Sequence, residues 1–290
     1  MRSFILRISA FGVSLLGALG CGDEGEGGAG TLRIQLAAEA SILAPISVGP
    51  GPEQMRDCAV SYSKFLVALG RVELASSRAS ERRRDERMFV ADMKQVGEQG
   101  LELVQLTGLA AGQWDGFGFE TPAAASTAQA LGAVSPGDLA EMIEKGLTYW
   151  VEGSAACPER TVSFSFQVAV PTLFYACESD GEPGVAVSGG ATSTATITLH
   201  GDHLWFDSLP SASEGSVMRR AAWLLQVDAD GDGKVSTADL ANVRAEAAFP
   251  SSLGYNLSGA TIGSALDFVR AQLATQGHLN GEGECQWRAP

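Results

Sequence analysis

The sequence predicts a mainly β protein, an antiparallel β-sandwich followed by an α-helical C-terminal segment that contains a helix–loop–helix. Three observations support this prediction. Between residues 31 and 210, short apolar or alternating runs are separated by turn residues, as in the strands of a sandwich. From residue 211 the apolar residues recur three and four positions apart, which is the period of helices. Hydrophobic residues make up 45% of the 290-residue chain, which is enough for the core of one large or two modest domains.

The predicted strands follow one another at short intervals, at residues 31–36, 61–74, 88–93, 101–106, 114–119, 161–170, 185–187 and 195–199. The clearest alternation is in residues 161–170, where one face is apolar throughout. A single helix interrupts the strands at residues 135–146, because Ser135 is a favourable N-cap and Pro136 fits the first helical position. Three further helices are predicted after the sandwich, at residues 214–227, 237–248 and 261–275.

Residues 1–20 are typical of a signal peptide, because their apolar run is short and is bounded by arginines and small residues. The run ends in LGALGC at residues 16–21, which resembles the lipobox of bacterial lipoproteins. This resemblance implies that Cys21 is lipidated and begins the mature chain, with residues 21–30 as a flexible tether. Gly22 after the cysteine implies the outer membrane. We therefore expect an exported protein, anchored by lipid, on the periplasmic or surface face.

The net charge of −14 excludes a protein that binds nucleic acid by neutralising phosphates, since that requires clustered Lys and Arg. Charged residues make up only 19% of the chain, too few for a disordered polyelectrolyte. The chain also shows no collagen or coiled-coil period and no second long apolar run. The class that remains is an exported globular protein.

The cysteine content agrees with export. Once Cys21 is assigned to lipidation, four cysteines remain for two disulfides in an oxidising compartment: Cys58, Cys157, Cys177 and Cys285. Four cysteines allow three pairings, and the sequence does not choose among them. Because no two of them form a CxxC pair, neither a redox motif nor a thiolate zinc site is indicated.

Residues 101–120 carry a second resemblance. Their turn, Ala-Gly-Gln-Trp at residues 111–114, leads into the alternating strand Phe117-Gly118-Phe119. This arrangement is similar to a segment of periplasmic β-sandwich lipoproteins that include the copper-associated MbnP-like proteins. The resemblance implies a sandwich fold and a connection with copper.

The strongest motif lies at residues 228–239, DADGDGKVSTAD, which resembles a single EF-hand calcium loop of the bacterial type. The resemblance implies ligands at loop positions 1, 3, 5, 7, 9 and 12, which are Asp228, Asp230, Asp232, the Lys234 carbonyl, Ser236 and Asp239. Gly233 occupies position 6, where the chain turns through a conformation that a Cβ would strain. Three clustered carboxylates repel one another unless a cation lies between them. The sequence therefore predicts Ca²⁺ binding.

The role of this calcium ion is predicted to be mainly structural. A single loop between two helices fixes the angle at which they pack on the sandwich, whereas a sensor would need a Met-rich groove to expose, and only Met218 lies nearby. Asp239 stands where the EF-hand family usually has Glu, and its shorter arm predicts weak affinity, on the order of 10⁻⁴ M. No partner other than the ion and the membrane is indicated.

The three histidines of the chain offer an alternative site. His200 and His203 end the last predicted strand, and His278 follows the last predicted helix. Three imidazoles are a donor set for copper or zinc, with Asp202 or Asp207 as a ligand or as a group that orients one. The other interpretation is that the histidines form loop hydrogen bonds and dock the helices on the sheet, because the sequence does not show His278 near the other two.

Motifs for catalysis are absent from the sequence. The chain has no GxSxG elbow, no HExxH helix, no phosphate-binding glycine loop and no GxGxxG after a strand. The sequence therefore predicts a binding protein rather than an enzyme.

Overall fold

The computed structural model describes residues 28–209, 217–258 and 261–290, so the predicted signal peptide and Cys21 lie outside the described residues. The prediction of a mainly β fold with some helices is confirmed. The strands are β1 (Gly30–Ala38), β2 (Ala59–Ser76), β3 (Glu81–Arg84), β4 (Met88–Asp92), β5 (Leu101–Leu109), β6 (Gly112–Trp114), β7 (Gly116–Thr121), β8 (Gln129–Leu131), β9 (Tyr149–Ala156), β10 (Thr161–Val168), β11 (Thr172–Tyr175), β12 (Glu178–Ser179), β13 (Glu182–Pro183), β14 (Val185–Val187), β15 (Thr192–Leu199), β16 (Lys234–Ser236), β17 (Gly277–Leu279) and β18 (Gln286–Arg288).

The α-helices are α1 (Ala40–Leu43), α2 (Met93–Val96), α3 (Pro136–Glu144), α4 (Trp223–Val227), α5 (Thr237–Asn242), α6 (Ala245–Ala248) and α7 (Ala265–Leu273). Two 3₁₀ helices lie at Gly201–Trp205 and Ser251–Leu253. Within the described part of the chain, no helix is both long enough and apolar enough to cross a membrane.

Most strands belong to two sheets. The smaller sheet has the order β17-β15-β1-β5. The larger has the order β16-β10-β9-β2-β7-β11-β18. In addition, β3 and β4 pair with β2, and β8 pairs with β4. Most neighbours are antiparallel, as predicted, but β1 with β15, β10 with β16 and β4 with β8 are parallel pairs. The parallel pair β1–β15 brings two distant parts of the sequence side by side in the middle of the smaller sheet.

One hydrophobic core contacts both sheets and the C-terminal helices. Trp205 and Trp223 are fully buried there, with ring centroids 5.9 Å apart, and Trp223 stacks on Phe166 of β10. Alternate residues of β2 and β9 point to the other face of the larger sheet, where Leu66 and Trp150 pack under α3. The C-terminal segment is therefore built into the sandwich core.

Residues 217–290 differ from the three long helices that the sequence predicts. Of the described residues of the first, 217–227, only 223–227 are helical, because Arg219 forms β-bridges with Met55 and Phe206. The second is divided into α5 and α6, and the third begins at a capping box of Ser264 and Asp267. This segment also supplies three strands, of which β16 and β18 extend the larger sheet and β17 the smaller one.

The two predicted disulfides are confirmed, and the structure selects one of the three pairings. Cys58 bonds to Cys157, and Cys177 bonds to Cys285. The first joins the residue before β2 to the turn that follows β9, the strand that pairs with β2. The second joins the end of β11 to the residue before β18 and so holds the C-terminus on the larger sheet. Each therefore closes a loop of about a hundred residues between strands that are neighbours in space.

Candidate metal centres

The three histidines lie together, although the sequence separates His278 from the other two. His200 follows β15 and His203 lies in the 3₁₀ helix after it. β17 pairs antiparallel with β15, in a register that places His278 opposite Thr198. One ring nitrogen from each of the three histidines lies within 4.8 Å of the others. The ring centroids of His200 and His278 are 4.1 Å apart, and that of His203 is 5.4 and 5.1 Å from them.

In two of the three rings, a hydrogen bond made by one nitrogen determines that the other nitrogen carries the lone pair. Nε2 of His200 is 3.0 Å from the Gly281 carbonyl, which only accepts, so this nitrogen donates and Nδ1 carries the lone pair of the neutral ring. Nδ1 of His203 is 2.9 Å from the Thr275 hydroxyl, which itself donates to a backbone carbonyl. The hydroxyl therefore accepts from Nδ1, and the lone pair of His203 is on Nε2.

The environment keeps two of these imidazoles neutral. Burial lowers the pKa of His203 to about 4. Burial, followed by the neighbouring rings of His200 and His203, lowers the pKa of His278 to about 3. Nδ1 of His278 is buried without a hydrogen-bond partner in the described structure, which is a cost unless another group satisfies it. Neutral rings with available lone pairs are what a transition-metal ion requires.

Two carboxylates lie beside His200. Glu39, which follows β1, and Asp202 form a second group with His200 in which one donor atom from each residue lies within 4.8 Å of the others. Asp202 is almost fully buried, and its Oδ2 accepts from Arg219 at 2.8 Å, whereas Oδ1 has no partner among the described residues. Asp207, the other acidic residue considered from the sequence, accepts instead from the Met218 amide.

The histidine centre forms part of the wall of a cavity of about 490 Å³. Its lining is rich in carboxylates, namely Glu39, Glu53, Asp202, Glu282 and Glu284. Arg219 is the one cationic side chain among the described residues that line it, and it is already paired with Asp202 and Glu53. This distribution of charge attracts cations to the histidines.

The predicted calcium loop lies in the C-terminal segment, between α4 and α5. The carboxylates of Asp228, Asp230 and Asp232 come within 4.8 Å of one another, as the motif predicts. Gly233 has φ 79°, the left-handed conformation expected at the sixth position, and its amide donates to Asp228 Oδ2. The Asp232 amide donates to Asp230 Oδ1 at 3.2 Å and the Lys234 amide to Asp232 Oδ1 at 2.8 Å, so the loop backbone orients all three carboxylates.

Asp228 is the one buried residue among the three clustered aspartates of this loop. Its side chain is fully buried, and its Oδ2 lies 2.6 Å from Nη1 of Arg160, which is about a third exposed. Its other oxygen, Oδ1, is buried without a partner in the described structure. Arg160 comes from the turn before β10, and the sequence carries no local signal that connects it with the loop.

The remaining predicted ligands lie where the loop meets the sheet. Lys234 and Ser236 bound β16, which pairs in parallel with β10. Ser236 then caps α5 in a reciprocal capping box, in which Oδ2 of Asp239 accepts from the Ser236 amide and hydroxyl. The structure thus brings three of the six predicted ligands into one cluster, and it places Ser236 and Asp239 together at the start of the exiting helix.

Comparison with known proteins does not assign the chain to a family. No protein-family model matches the chain, and no curated protein and no solved structure matches it significantly. The resemblances to lipoproteins, EF-hand loops and MbnP-like proteins therefore stay predictions. What the protein does has to be inferred from the two centres themselves.

Proposed function

We propose that this chain is an exported metal-binding protein whose principal site is a copper or zinc centre formed by His200, His203 and His278. The observation that supports this proposal is the convergence of three imidazoles from two distant segments beside a cavity. For two of them, second hydrogen bonds direct the lone pair, as in the outer shells of metal sites. Imidazole is a preferred ligand of both Zn²⁺ and copper.

The alternative is that the histidines serve only to join segments of the fold. Two of the rings do make such contacts, to Gly281 and to Thr275. Each contact uses one ring nitrogen, however, and leaves the other without a role. A purely structural cluster would also bury an unpartnered nitrogen on His278, which costs about 1–3 kcal/mol. A metal ion would satisfy all three rings together.

The test is a calorimetric titration of the metal-stripped protein with Zn²⁺ and Cu²⁺, compared with His203→Ala and with Glu144→Gln. Glu144 is exposed on α3 and does not line the cavity, so its variant controls for a general loss of negative charge. We expect one tight site in the wild type and in Glu144→Gln, and loss of that site in His203→Ala. Full binding by His203→Ala would reject the proposal.

A second candidate function, calcium binding at residues 228–239, is supported by a different observation. One carboxylate oxygen of Asp228 is buried without a partner among the described residues, and two further carboxylates lie beside it. A hard divalent cation accepts such oxygens and removes their mutual repulsion. We propose a structural role, because the loop carries β16 into the larger sheet between two helices that pack on the core. Bound calcium would hold these elements in register.

Thermal unfolding with and without calcium tests this second function. The double variant Asp228→Ala, Asp230→Ala should lose the calcium-dependent rise in Tm that the wild type shows, while Asp180→Asn, in the exposed β12–β13 turn, should keep it. An unchanged response of the double variant would show that any calcium effect arises elsewhere.

We further propose that the protein is a lipoprotein anchored through Cys21. The two disulfides support export, because they persist in oxidising compartments. Mass spectrometry of the protein from a bacterial membrane fraction should find a diacylated N-terminal cysteine. Release of the Cys21→Ser variant into the soluble periplasmic fraction would agree with the anchor, and retention of the variant in the membrane would contradict it.

A further inference from the structure

We infer that Glu39 is an oxygen ligand of the ion held by the three histidines, with Asp202 as a second carboxylate beside it, so that the site binds a divalent cation, Cu²⁺ or Zn²⁺, in preference to cuprous ion. The inference rests on the proposed function and specifies its ligand set. Nothing in the sequence near Glu39 indicates this role.

Strand pairing explains how Glu39 reaches the site. β1 and β15 are parallel neighbours, and their register places Ala38 opposite Leu199. The next residue on each strand is therefore Glu39 on one and His200 on the other. The Glu39 amide continues the ladder by donating to the Leu199 carbonyl at 3.2 Å. Two residues 161 positions apart are held side by side by the backbone of the smaller sheet.

The distances from His200 to the two carboxylates match those between ligands of a single cation. Its Nδ1, the lone-pair nitrogen of the neutral ring, is 3.8 Å from Oε2 of Glu39 and 3.9 Å from Oδ1 of Asp202. These distances are too long for hydrogen bonds, so a proton on Nδ1 would not bridge the groups. Two ligands bound at about 2.1 Å to one ion lie about 3.4 Å apart at the tetrahedral angle and up to about 4.2 Å apart at wider angles. The observed spacing falls within that span.

Neighbouring residues hold both carboxylates in place. The Ser41 hydroxyl donates to Glu39 Oε2 and in turn accepts from the Gly201 amide, between the two histidines of the 3₁₀ segment. Arg219 occupies Oδ2 of Asp202 and leaves Oδ1 free on the side of His200. Such outer contacts orient ligands before an ion arrives.

The donor set then decides which ion is preferred. Cuprous ion favours thiolate and thioether ligands, whereas imidazole with carboxylate suits Zn²⁺ and Cu²⁺. The one sulphur-bearing residue among those described in the cavity wall is Cys285, whose sulphur is bonded to Cys177. Two carboxylates also neutralise the charge of a divalent ion in a way that a monovalent ion does not require.

The test compares wild type, Glu39→Gln and the control Glu144→Gln, which removes an exposed carboxylate of α3 outside the cavity lining, in competitive titrations with Zn²⁺, Cu²⁺ and Cu⁺. We expect Glu39→Gln to weaken Zn²⁺ and Cu²⁺ binding roughly 10- to 100-fold, in the range found when the surroundings of a metal site are altered, and to leave Cu⁺ binding within about twofold. The Cu²⁺ electron paramagnetic resonance spectrum should change in Glu39→Gln and not in Glu144→Gln.

A wild-type measurement covers the case in which Glu39→Gln does not fold. Infrared difference spectra of the wild type with and without Zn²⁺ should show a shifted carboxylate stretch, which would be weaker in Glu39→Gln where that variant folds. If the wild type binds through its histidines, but shows no carboxylate shift and no change in Glu39→Gln, the inference fails and the proposed function stands. If His203→Ala binds as tightly as the wild type, both fail.

Discussion

Replacing Arg160 by glutamine is expected to strengthen calcium binding at residues 228–239. Arg160 neutralises the buried carboxylate of Asp228, with Nη1 2.6 Å from Oδ2. A calcium ion bound to the same carboxylate must share it with the guanidinium or displace the guanidinium into solvent. Either event costs free energy, and glutamine removes that cost because it carries no charge.

The expected gain in calcium affinity follows from the distance between the ion and the Arg160 guanidinium. Calcium lies about 2.4 Å from its carboxylate oxygens, so the ion and the guanidinium nitrogen would be at most about 5 Å apart. A divalent and a monovalent cation at that distance repel by about 1.7 kcal/mol with the dielectric constant of water, which is appropriate because the Arg160 side chain is 35% exposed. This free energy corresponds to roughly 15- to 20-fold in Kd, and salt should reduce the effect.

Isothermal titration at low ionic strength measures the difference directly. The matched control is Arg33→Gln, which removes a half-exposed arginine and its ion pair with Glu102 from the other sheet. We expect tighter calcium binding only in Arg160→Gln. Without calcium this variant should unfold at a lower temperature than the wild type, because Asp228 loses its counter-ion, and saturating calcium should narrow that difference.

The opposite result would refute this reasoning. If Arg160→Gln binds calcium as the wild type does, or more weakly, the guanidinium does not compete with the ion. An equal increase in affinity in Arg33→Gln would attribute the effect to net charge and not to the ion pair with Asp228.

Three further predictions concern the stability of the ion-free protein. The folded pKa values of about 4 for His203 and about 3 for His278 lie below the ordinary value of about 6.5, so the unfolded chain binds protons that the folded chain does not. The unfolding free energy should therefore fall as the pH drops from about 6.5 toward 4, and urea titrations at stepped pH that show no decrease would contradict this. Tyr62→Phe removes the acceptor of the Trp205 indole N–H, 2.8 Å away, and should cost about 1–3 kcal/mol in urea unfolding, whereas a neutral variant would show that the indole finds another partner. Gly233→Ala places a Cβ at φ 79° and should cost about 1–2 kcal/mol by the same measurement, and a smaller cost would mean that the loop relaxes.

Much of the strand content could be predicted from the sequence, because half-buried strands alternate apolar and polar residues. The longest prediction, residues 61–74, appears as Ala59–Ser76, and residues 161–170 appear as Thr161–Val168. The strand at Tyr149–Ala156 was not predicted. Its first three residues are all buried, and its second half is small, so it shows no alternation. Burial by neighbours on both faces erases the pattern on which sequence analysis depends.

The helices of the C-terminal segment were harder to predict for the opposite reason. Apolar residues spaced three and four apart do occur there, but backbone pairing competes with the helix at several points. Arg219 forms backbone β-bridges with Met55 and Phe206. The Ala265 amide donates to the Val243 carbonyl between α5 and α6. Such long-range hydrogen bonds depend on the assembled fold and leave no local trace in the sequence.

The two candidate centres differ in how far the sequence determines them. In the loop at residues 228–239, the ligand types, their spacing and the glycine turn are all local, so the clustering of Asp228, Asp230 and Asp232 could be predicted. The contribution of Arg160 could not, because this residue comes from the turn before β10, which is distant from the loop in the sequence. The histidine centre is mostly non-local: the sequence supplies the imidazoles, and only the pairing of β17 with β15 brings His278 to them.

The sequence by itself determined the elements that need only neighbours along the chain: alternating strands, capped helix starts, the acidic loop and the presence of four cysteines for two disulfides. Only the tertiary structure decided the disulfide pairing, the meeting of the three histidines and the position of Glu39 beside His200. The physical reason is that strand register and core packing are collective. They set distances between residues 70 to 160 positions apart through many weak contacts, none of which is encoded at the positions that finally meet.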